Sequence, residues 1–196
     1  MFLVAGLGNP GEEYALTPHN MGFLTVDRLA ERHGIRVTRR DSKALVGVGE
    51  IDGHPVMLAK PQTFMNLSGT SLAPLMEKHS IERERLIVVY DELDLGWQGL
   101  KIKPKGSAAG HNGMISVILS LKSNEIVRVR LGIHPGHPLK SGTDYLLAPL
   151  KRTQVKELDG FIDYAADAVQ SIIAEGVEKA MTKFNRRALG LNKEEA

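Results

Sequence analysis

Residues 85–95 read Arg-Leu-Ile-Val-Val-Tyr-Asp-Glu-Leu-Asp-Leu and contain the strongest strand signal in the chain. The apolar, β-branched run at 86–90 is typical of a strand buried in the centre of a sheet. Asp91 follows directly, so we expect a carboxylate at the exit of that strand. In α/β proteins such exits are where binding and catalytic groups are usually placed.

Strand and helix patterns alternate on both sides of this segment. The apolar periodicity predicts strands at 2–7, 45–49, 55–59, 100–103 and 126–133, and helices at 21–32, 68–79, 113–121, from 154 onward and after Gly176. The second and third strands flank Asp52-Gly53, a hairpin signal, so we expect an antiparallel pair within a mixed sheet. The alternation predicts an α/β fold.

The composition is that of an ordinary globular protein. The 196 residues are 42% hydrophobic and 24% charged, and no linker or repeat divides them. We therefore expect a single catalytic α/β domain over 1–187 and a flexible tail over 188–196. The chain has no cysteine, which excludes disulfides, thiolate metal sites and a cysteine nucleophile.

The sequence also indicates where the protein acts and what charge its partner can have. The first residues lack the basic segment of a signal peptide, and no run approaches the ~20 apolar residues of a membrane-spanning helix. We therefore expect a cytoplasmic protein that does not engage a membrane. The net charge of +2 permits an anionic partner without requiring one.

A glycine-rich turn follows the first strand. Gly6-Leu-Gly-Asn-Pro-Gly11 matches the dinucleotide-binding pattern G-x-G-x-x-G. Two features oppose that hypothesis: Glu12 and Glu13 would repel a pyrophosphate, and the periodic helix begins about ten residues too late. A tight turn that exposes the backbone is the favoured interpretation.

Three polar residues at the ends of predicted strands and helices suggest hydrolytic chemistry. Asn9 lies in the glycine-rich turn, His19 precedes a predicted helix, and Asp91 follows the central strand. If His19 and Asp91 meet, the carboxylate would orient the imidazole as a general base toward water. The chain has no G-x-S-x-G elbow, which disfavours a serine nucleophile.

The acidic stretch 91–94 also allows a different hypothesis. Asp91, Glu92 and Asp94 could hold Mg²⁺ or Ca²⁺ through their carboxylate oxygens. The ligand spacing of an EF-hand and the histidine spacing of a zinc site are both missing. Solvated carboxylates are the simpler interpretation of Glu92 and Asp94.

Two loops place further amides at predicted helix starts. These are 60–69 and 106–113, and their candidate residues are Phe64, Met65, Asn66, His111 and Asn112. Helix capping and core packing explain each residue alone. Neutral amides gathered at element ends, with few cations beside them, would suit an uncharged ligand that contains amides.

Basic residues alternate in the strand predicted at 100–103 and just beyond it. Lys101, Lys103 and Lys105 would project from one face, and Arg128 with Arg130 would do the same on a later strand. This pattern fits a phosphate-binding face, and it equally fits a solvated sheet edge protected by lysines.

Taken together, the motifs resemble those of one family. They are Gly6-Leu-Gly-Asn-Pro-Gly11, Tyr14, Thr17-Pro-His-Asn20, Lys60-Pro-Gln-Thr-Phe-Met-Asn-Leu-Ser-Gly69, Asp91-Glu-Leu-Asp-Leu95, Gly110-His-Asn-Gly113 and Arg128-Val-Arg-Leu-Gly132. In this order, from residue 2 to about 187, they closely resemble the bacterial peptidyl-tRNA hydrolases.

The resemblance implies a fold and an activity. The fold would be a monomeric three-layer α/β/α sandwich with a central mixed, mostly parallel sheet and C-terminal helices. The activity would be hydrolysis of the ester between a peptide and the 3′-terminal ribose of tRNA, which recycles tRNA from prematurely released peptidyl-tRNA. The resemblance implies no metal and no cofactor.

It also implies roles for individual residues. His19 would be the general base and Asp91 its orienting partner, while Asn9 would distinguish N-blocked from free aminoacyl-tRNA. The cleft for the peptide and the 3′ end would be lined by Tyr14, Phe64, Met65, Asn66, His111 and Asn112. Asn112 would also position the water or the oxyanion. Basic positions that would hold tRNA phosphates are Lys101, Lys103 and Arg130.

The chain departs from the family pattern at three places. Gly96-Trp97 replaces a common proline, Ser107-Ala-Ala109 replaces a glycine-richer loop, and the glycine expected after Ile133 is missing. A rival interpretation remains, because relatives in plant organelles are RNA-binding splicing factors without hydrolase activity. Retention of His19 and Asp91, together with the lack of a transit-peptide pattern, favours the hydrolase.

Overall fold

The computed structural model describes residues 1–185. The strands are β1 (Phe2–Gly6), β2 (Arg39–Asp41), β3 (Ala44–Ile51), β4 (His54–Pro61), β5 (Leu86–Gly96), β6 (Leu100–Lys103) and β7 (Val127–His134). The α-helices are α1 (Met21–His33), α2 (Gly69–Lys78), α3 (Asn112–Leu121), α4 (Gly142–Leu147), α5 (Arg152–Glu175) and α6 (Val177–Phe184). Short 3₁₀ turns lie at Glu12–Tyr14, Pro18–Asn20, Met65–Leu67 and Arg83–Arg85.

All seven strands form one mixed sheet in the order β2-β3-β4-β1-β5-β7-β6. The four central strands β4, β1, β5 and β7 are parallel, whereas β2, β3 and β6 pair antiparallel at the two sides. The carboxyl ends of the parallel strands therefore meet at one edge of the sheet. β1 ends there just before the glycine-rich turn, and β5 reaches Asp91 there.

Apolar residues on opposite faces of the sheet build two separate cores. On β5, Ile87 and Val89 pack with α1 and α5, whereas Val88 and Tyr90 pack with α2 and α3. Strand alternation sends successive side chains to opposite faces, so a continuous apolar strand supplies both cores. The prediction of a three-layer α/β/α sandwich around a mixed sheet is confirmed.

Two glycines let α1 lie directly against the sheet. A Cβ on Gly6 would come within 2.1 Å of the Gly22 carbonyl oxygen, and a Cβ on Gly22 would come within 2.3 Å of the Val89 carbonyl oxygen. Both distances are shorter than any real contact, so only glycine permits this approach. The start of α1 is thereby held over the ends of β1 and β5, and His19 lies in the turn just before that start.

The predicted elements are present, with several shifts in their bounds. β5 extends to Gly96, six residues beyond the predicted run, because its backbone continues to pair with β7 past Asp91. Two elements were not predicted: β2 has only three polar residues, and α4 has no buried residue to create a pattern. Gly34 ends α1 with a left-handed backbone (φ 62°).

The end of the described chain supports the far edge of the sheet. Asn185 accepts a hydrogen bond from the Ile102 N–H at 2.7 Å and donates one to its carbonyl at 3.0 Å. The predicted tail at 188–196 lies outside the described residues. Within residues 1–185, no helix combines the length and apolar character needed to cross a bilayer.

Candidate active site

Three elements bring His19, Asp91 and His111 together at the carboxyl edge of the sheet. His19 lies in the 3₁₀ turn before α1, Asp91 in the exit of β5, and His111 at the N-cap of α3. All three side chains are buried or nearly so. The sequence predicted the first two as partners, and the structure adds His111 on the other side of the carboxylate.

Asp91 binds both rings, one with each oxygen. Its Oδ2 lies 2.7 Å from His19 Nδ1, and its Oδ1 lies 2.9 Å from His111 Nε2. Burial alone disfavours the ionised carboxyl, but the charges of His111 and His19 and the hydrogen bonds from both rings outweigh burial. The pKa of Asp91 is therefore held well below its usual value, and the group is a carboxylate.

The hydrogen bonds determine which ring nitrogens carry protons. His111 Nδ1 accepts from the Met114 N–H at 3.2 Å, so the proton of that neutral ring lies on Nε2 and points at Asp91. A carboxylate accepts only, so His19 likewise donates from Nδ1. The lone pair of His19 Nε2 is then available, and within residues 1–185 that nitrogen has no hydrogen-bond partner.

Asn9 is fixed by two other loops. Its N–H donates to Asn20 Oδ1 at 2.8 Å, and its carbonyl accepts from Asn20 Nδ2 at 3.0 Å. Its own Oδ1 accepts from the Met65 N–H at 2.8 Å, which leaves Nδ2 as the free donor. The Asn9 side chain therefore stabilises the loop before α2.

Two cavities meet at His19. One, of about 280 Å³, is lined by most of the residues predicted for the substrate cleft: Asn9, Tyr14, Phe64, Met65, Asn66 and Asn112. The other, of about 260 Å³, is lined by Asp91, Glu92 and His111. Both include His19, Asn112, Thr143 and Leu146, so the imidazole lies between two compartments.

The position of His111 differs from that of the other predicted cleft residues. It lines only the smaller cavity, where it contacts Asp91 and stacks tilted against Tyr90, with ring centroids 4.8 Å apart. Its Nδ1 is used by the N-cap of α3 and its Nε2 by Asp91. With both nitrogens occupied, His111 is placed to hold the carboxylate.

The same three side chains form a group of potential metal ligands. One ligand atom from each of His19, Asp91 and His111 lies within 4.8 Å of the others. The ring nitrogens, however, already lie at hydrogen-bond distance from the carboxylate oxygens, so the three groups satisfy one another. A metal ion would have to replace both hydrogen bonds.

The acidic stretch 91–94 does not form one cluster. Glu92 pairs with Arg130 at 2.8 Å in a buried ion pair, while Asp91 contacts the histidines and Asp94 is exposed. Burial raises the pKa of Glu92, Arg130 opposes that effect, and the neighbouring Asp94 adds to it. The hypothesis of a Mg²⁺ or Ca²⁺ site in this stretch therefore loses its basis, and Glu92 is not a solvated carboxylate.

The predicted basic face exists on the β6–β7 pair. Lys101 pairs with Arg130 and Lys103 with Arg128, so all four side chains leave the same face, opposite Leu100 and Ile102. Burial, followed by the charges of Arg130, Lys101 and Arg128, lowers the pKa of Lys103. Only the second of these causes, the three neighbouring cations, reports a positive potential, which is what attracts anions.

The two arginines of that face differ in access. Arg128 is fully buried and donates to the carbonyl oxygens of Ile126, Ser107 and Asn124, so it fastens the 104–111 loop. Arg130 is held by Glu92. Lys101 and Lys103 are half-buried and Lys105 is exposed, which makes the lysines the accessible cations.

The glycine-rich turn does not lead into a helix. Gly11 (φ 116°) is followed by the 3₁₀ turn Glu12–Tyr14, and α1 begins only at Met21. A Cβ on Gly8 would lie 2.7 Å from the Phe23 ring, so this glycine serves packing. The dinucleotide hypothesis is therefore wrong for this turn, because the glycines do not lead directly into the helix that the pattern requires.

Sequence reasoning missed three site residues. Asn20 was predicted only as part of a motif. Thr143 and Leu146 of α4, which line both cavities, were not predicted for the site. Ser141-Gly-Thr-Asp144 is a capping pattern that could have revealed α4, since the Ser141 side chain accepts from the Asp144 N–H at 3.2 Å. No simple signal marked Asn20 as the partner of Asn9.

Comparison with known proteins identifies relatives over the whole chain. Residues 3–193 match the family model described as peptidyl-tRNA hydrolase. A peptidyl-tRNA hydrolase of Solibacter usitatus is 77% identical over 196 residues, 100% of each chain. One of Koribacter versatilis is 48% identical over 188 residues, 95% of this chain and 94% of the relative.

A solved structure resembles the fold just as fully. The crystal structure of peptidyl-tRNA hydrolase from Acinetobacter baumannii aligns with a TM-score of 0.88 at 32% identity. The alignment covers 98% of this chain and 97% of that chain.

Proposed function

This chain belongs to the peptidyl-tRNA hydrolase family, and from that membership we propose how its own residues cleave the ester of peptidyl-tRNA. The protein is an ester hydrolase whose substrate is peptidyl-tRNA. The relatives described above are all named as hydrolases, so the non-hydrolytic RNA-binding alternative is not supported.

The observation that carries the mechanism is the hydrogen bond from His19 Nδ1 to Asp91. It leaves the lone pair of His19 Nε2 facing the cavities, where a water molecule can donate to it. As that water attacks the carbonyl carbon of the ester, its proton passes to Nε2. Asp91 stabilises the imidazolium that forms.

The reaction completes when the tetrahedral intermediate collapses. The bond between the carbonyl carbon and the 3′ oxygen of the ribose breaks, and the imidazolium returns the proton to that oxygen. The products are a peptide with a free carboxylate and a deacylated tRNA. Asn112, at the N-terminus of α3 and in the walls of both cavities, is placed to donate to the developing oxyanion or to hold the water.

Asn9 supplies selectivity for blocked substrates in this proposal. With Oδ1 engaged by Met65, the Nδ2 donor is the group offered to the cleft, and a peptide carbonyl is its natural acceptor. A free aminoacyl group carries an ammonium instead, which cannot accept. The remaining residues predicted for the cleft, Tyr14, Phe64 and Asn66, would surround the peptide and the 3′ end.

The tRNA would lie across the β6–β7 face, with Lys101 and Lys103 contacting phosphates and Arg130 adding to the potential from behind. The steps above need no side chain from a second copy, and we propose that the protein acts as a monomer through a single catalytic domain. We further propose that it acts in the cytoplasm. No metal or cofactor takes part in any step.

The test is release of an N-acetyl-aminoacyl group from its tRNA, measured in EDTA for the wild type and for His19→Ala. We expect rapid cleavage by the wild type, loss of most turnover in His19→Ala, and no cleavage of free aminoacyl-tRNA. Equal rates in both proteins would contradict the role of His19. Loss of activity in EDTA, restored by a divalent metal, would contradict the metal-free mechanism.

A further inference from the structure

A second depression lies beside the cleft, outside the catalytic residues. It has a volume of about 610 Å³ and is formed by the β2–β3 turn, the segment after β4 and the start of α2. Phe64 belongs to the walls of both this depression and the 280 Å³ cavity at His19. We call it the distal groove, and it adjoins the cleft at Phe64.

The walls of the distal groove are tied together. The Gln62 N–H donates to the Lys43 carbonyl at 2.7 Å, which links the segment after β4 to the β2–β3 turn. Ser42 and Lys43 have positive φ values of 48° and 62°, a conformation that makes this turn tight. The groove therefore has a defined shape in the absence of any occupant.

Its free charge is positive. Arg40 and Lys43 line the groove, and within residues 1–185 neither has an ion-pair partner. The one acidic residue in its walls, Asp41, is already paired with Lys78 at 3.0 Å and with His79 at 2.8 Å. An occupant would therefore meet two uncompensated cations.

Its floor also offers apolar contact. Phe64 is 61% exposed and Leu67 is 47% exposed, and both line the groove. Large apolar side chains this exposed, next to cations and hydroxyl groups, suit an amphipathic chain of varied sequence better than a single small molecule.

The distal groove and the proposed tRNA-binding lysines lie on opposite sides of the sheet. The sheet order places β2 and β3 at one side and β7 and β6 at the other, with β1 and β5 between them. The lysines proposed to hold tRNA lie on the β6–β7 side, and the groove lies on the β2–β3 side. With the ester at His19, tRNA leaves in one direction and the peptide must leave in the other.

We propose that the distal groove binds the residues of the peptide that precede the esterified one, and that Arg40 and Lys43 make it favour acidic side chains. This proposal rests on the proposed function, since it assigns a further part of the same substrate. The peptide would pass Phe64 in extended form and place carboxylates opposite the two cations.

The experiment compares three substrates on one tRNA: N-acetyl-aminoacyl-tRNA, and two peptidyl-tRNAs with about five residues, roughly 17 Å when extended, carrying Asp or Lys at the distal positions. We expect the wild type to have a KM for the Asp peptide about two- to fivefold below that for the Lys peptide, as exposed charge contacts are modest. The difference should shrink in high salt.

The variant that tests the residues is Arg40→Glu/Lys43→Glu, with Arg39→Glu as the matched control. Arg39 is exposed on the same strand but does not line the groove. The double variant should raise the KM for the Asp peptide about tenfold, favour the Lys peptide, and leave kcat and the KM for N-acetyl-aminoacyl-tRNA unchanged. Arg39→Glu should change none of these values.

Three results would overturn the proposal. Equal KM values for the two peptides in the wild type would mean that the groove does not sense peptide charge. A KM that rises for all three substrates in the double variant would mean that these cations contact tRNA. Failure of the wild type to cleave N-acetyl-aminoacyl-tRNA would instead remove the proposed function, and this proposal with it.

Discussion

Asn20 and Asn9 are joined by a reciprocal pair of hydrogen bonds, the Asn20 side-chain amide binding both the N–H and the carbonyl of Asn9. His19 precedes Asn20 directly, so this pair sets the position of the base relative to the turn that carries Asn9. All of these atoms belong to buried residues, where lost partners are costly.

Asn20→Ala should therefore misplace His19 and Asn9 relative to each other without removing a group that takes part in the reaction. We expect kcat/KM on N-acetyl-aminoacyl-tRNA to fall at least tenfold, and the free energy of unfolding to fall by about 1–3 kcal/mol, because two buried backbone groups lose their partners. Asn20→Asp keeps the acceptor for the Asn9 N–H but sets its second oxygen against the Asn9 carbonyl, so it should restore neither loss. Discrimination against free aminoacyl-tRNA should weaken, a change that destabilisation alone would not cause.

Asp91→Asn should reduce kcat by about 10²-fold or more. The amide presents one donor and one acceptor where the carboxylate presented two acceptors, so one histidine must change its tautomer or lose its partner. His111→Asn is the comparison, since it removes one group that holds Asp91 and the ring packed against His19, but keeps the hydrogen bond from His19 to Asp91. A kcat in Asp91→Asn close to that of the wild type would disprove the orienting role.

Variants on the basic face should show whether a cation contacts phosphates or supports the fold. Lys103→Ala should raise KM and lower the slope of log KM against log salt by about one, with kcat unchanged. A fall in kcat that does not depend on salt would place Lys103 elsewhere.

Arg130→Ala should behave differently, because it leaves Glu92 buried and unpaired. We expect a loss of about 3–5 kcal/mol in the free energy of unfolding, measured by urea denaturation at pH 7. Adding Glu92→Gln to Arg130→Ala should recover much of that loss. If Arg130→Ala were as stable as the wild type, the ion pair would have no structural role.

The pH dependence of stability should reveal Asp41. Hydrogen bonds from His79 and Lys78 lower its pKa from 3.8 to about 2. A carboxyl with a depressed pKa in the folded state stabilises the fold fully above its unfolded value of 3.8, and this contribution is lost as the pH falls towards 2.

Asp41→Asn should therefore be less stable than the wild type near pH 6, with the difference shrinking between pH 4 and 2. Urea denaturation across that range measures it. A difference that does not change with pH would show that the charge of Asp41 is not what matters. The exposed Asp52→Asn, in the β3–β4 turn, is the control.

The order of elements was predictable because each core strand or helix carries its own apolar period. The run at 86–90 marked the central strand, and Asp52-Gly53 marked the hairpin, from local chemistry alone. β2 and α4 were not predictable in this way, since they bury too little apolar surface to leave a pattern. The extension of β5 to Gly96 depends on pairing with β7, a strand that lies about 40 positions away in the sequence.

For the site, the sequence by itself determined which groups are available: an imidazole at 19, a carboxylate at a strand exit, amides at element ends and alternating lysines at 101 and 103. Their contacts and burial are visible only in the tertiary structure. Asp91 binds two histidines, Asn20 binds Asn9, and Arg128 is buried while the lysines are accessible. The physical reason is that local patterns report which residues are buried, whereas hydrogen-bond partners across 11 to 72 positions of chain are chosen only when strands and loops pack.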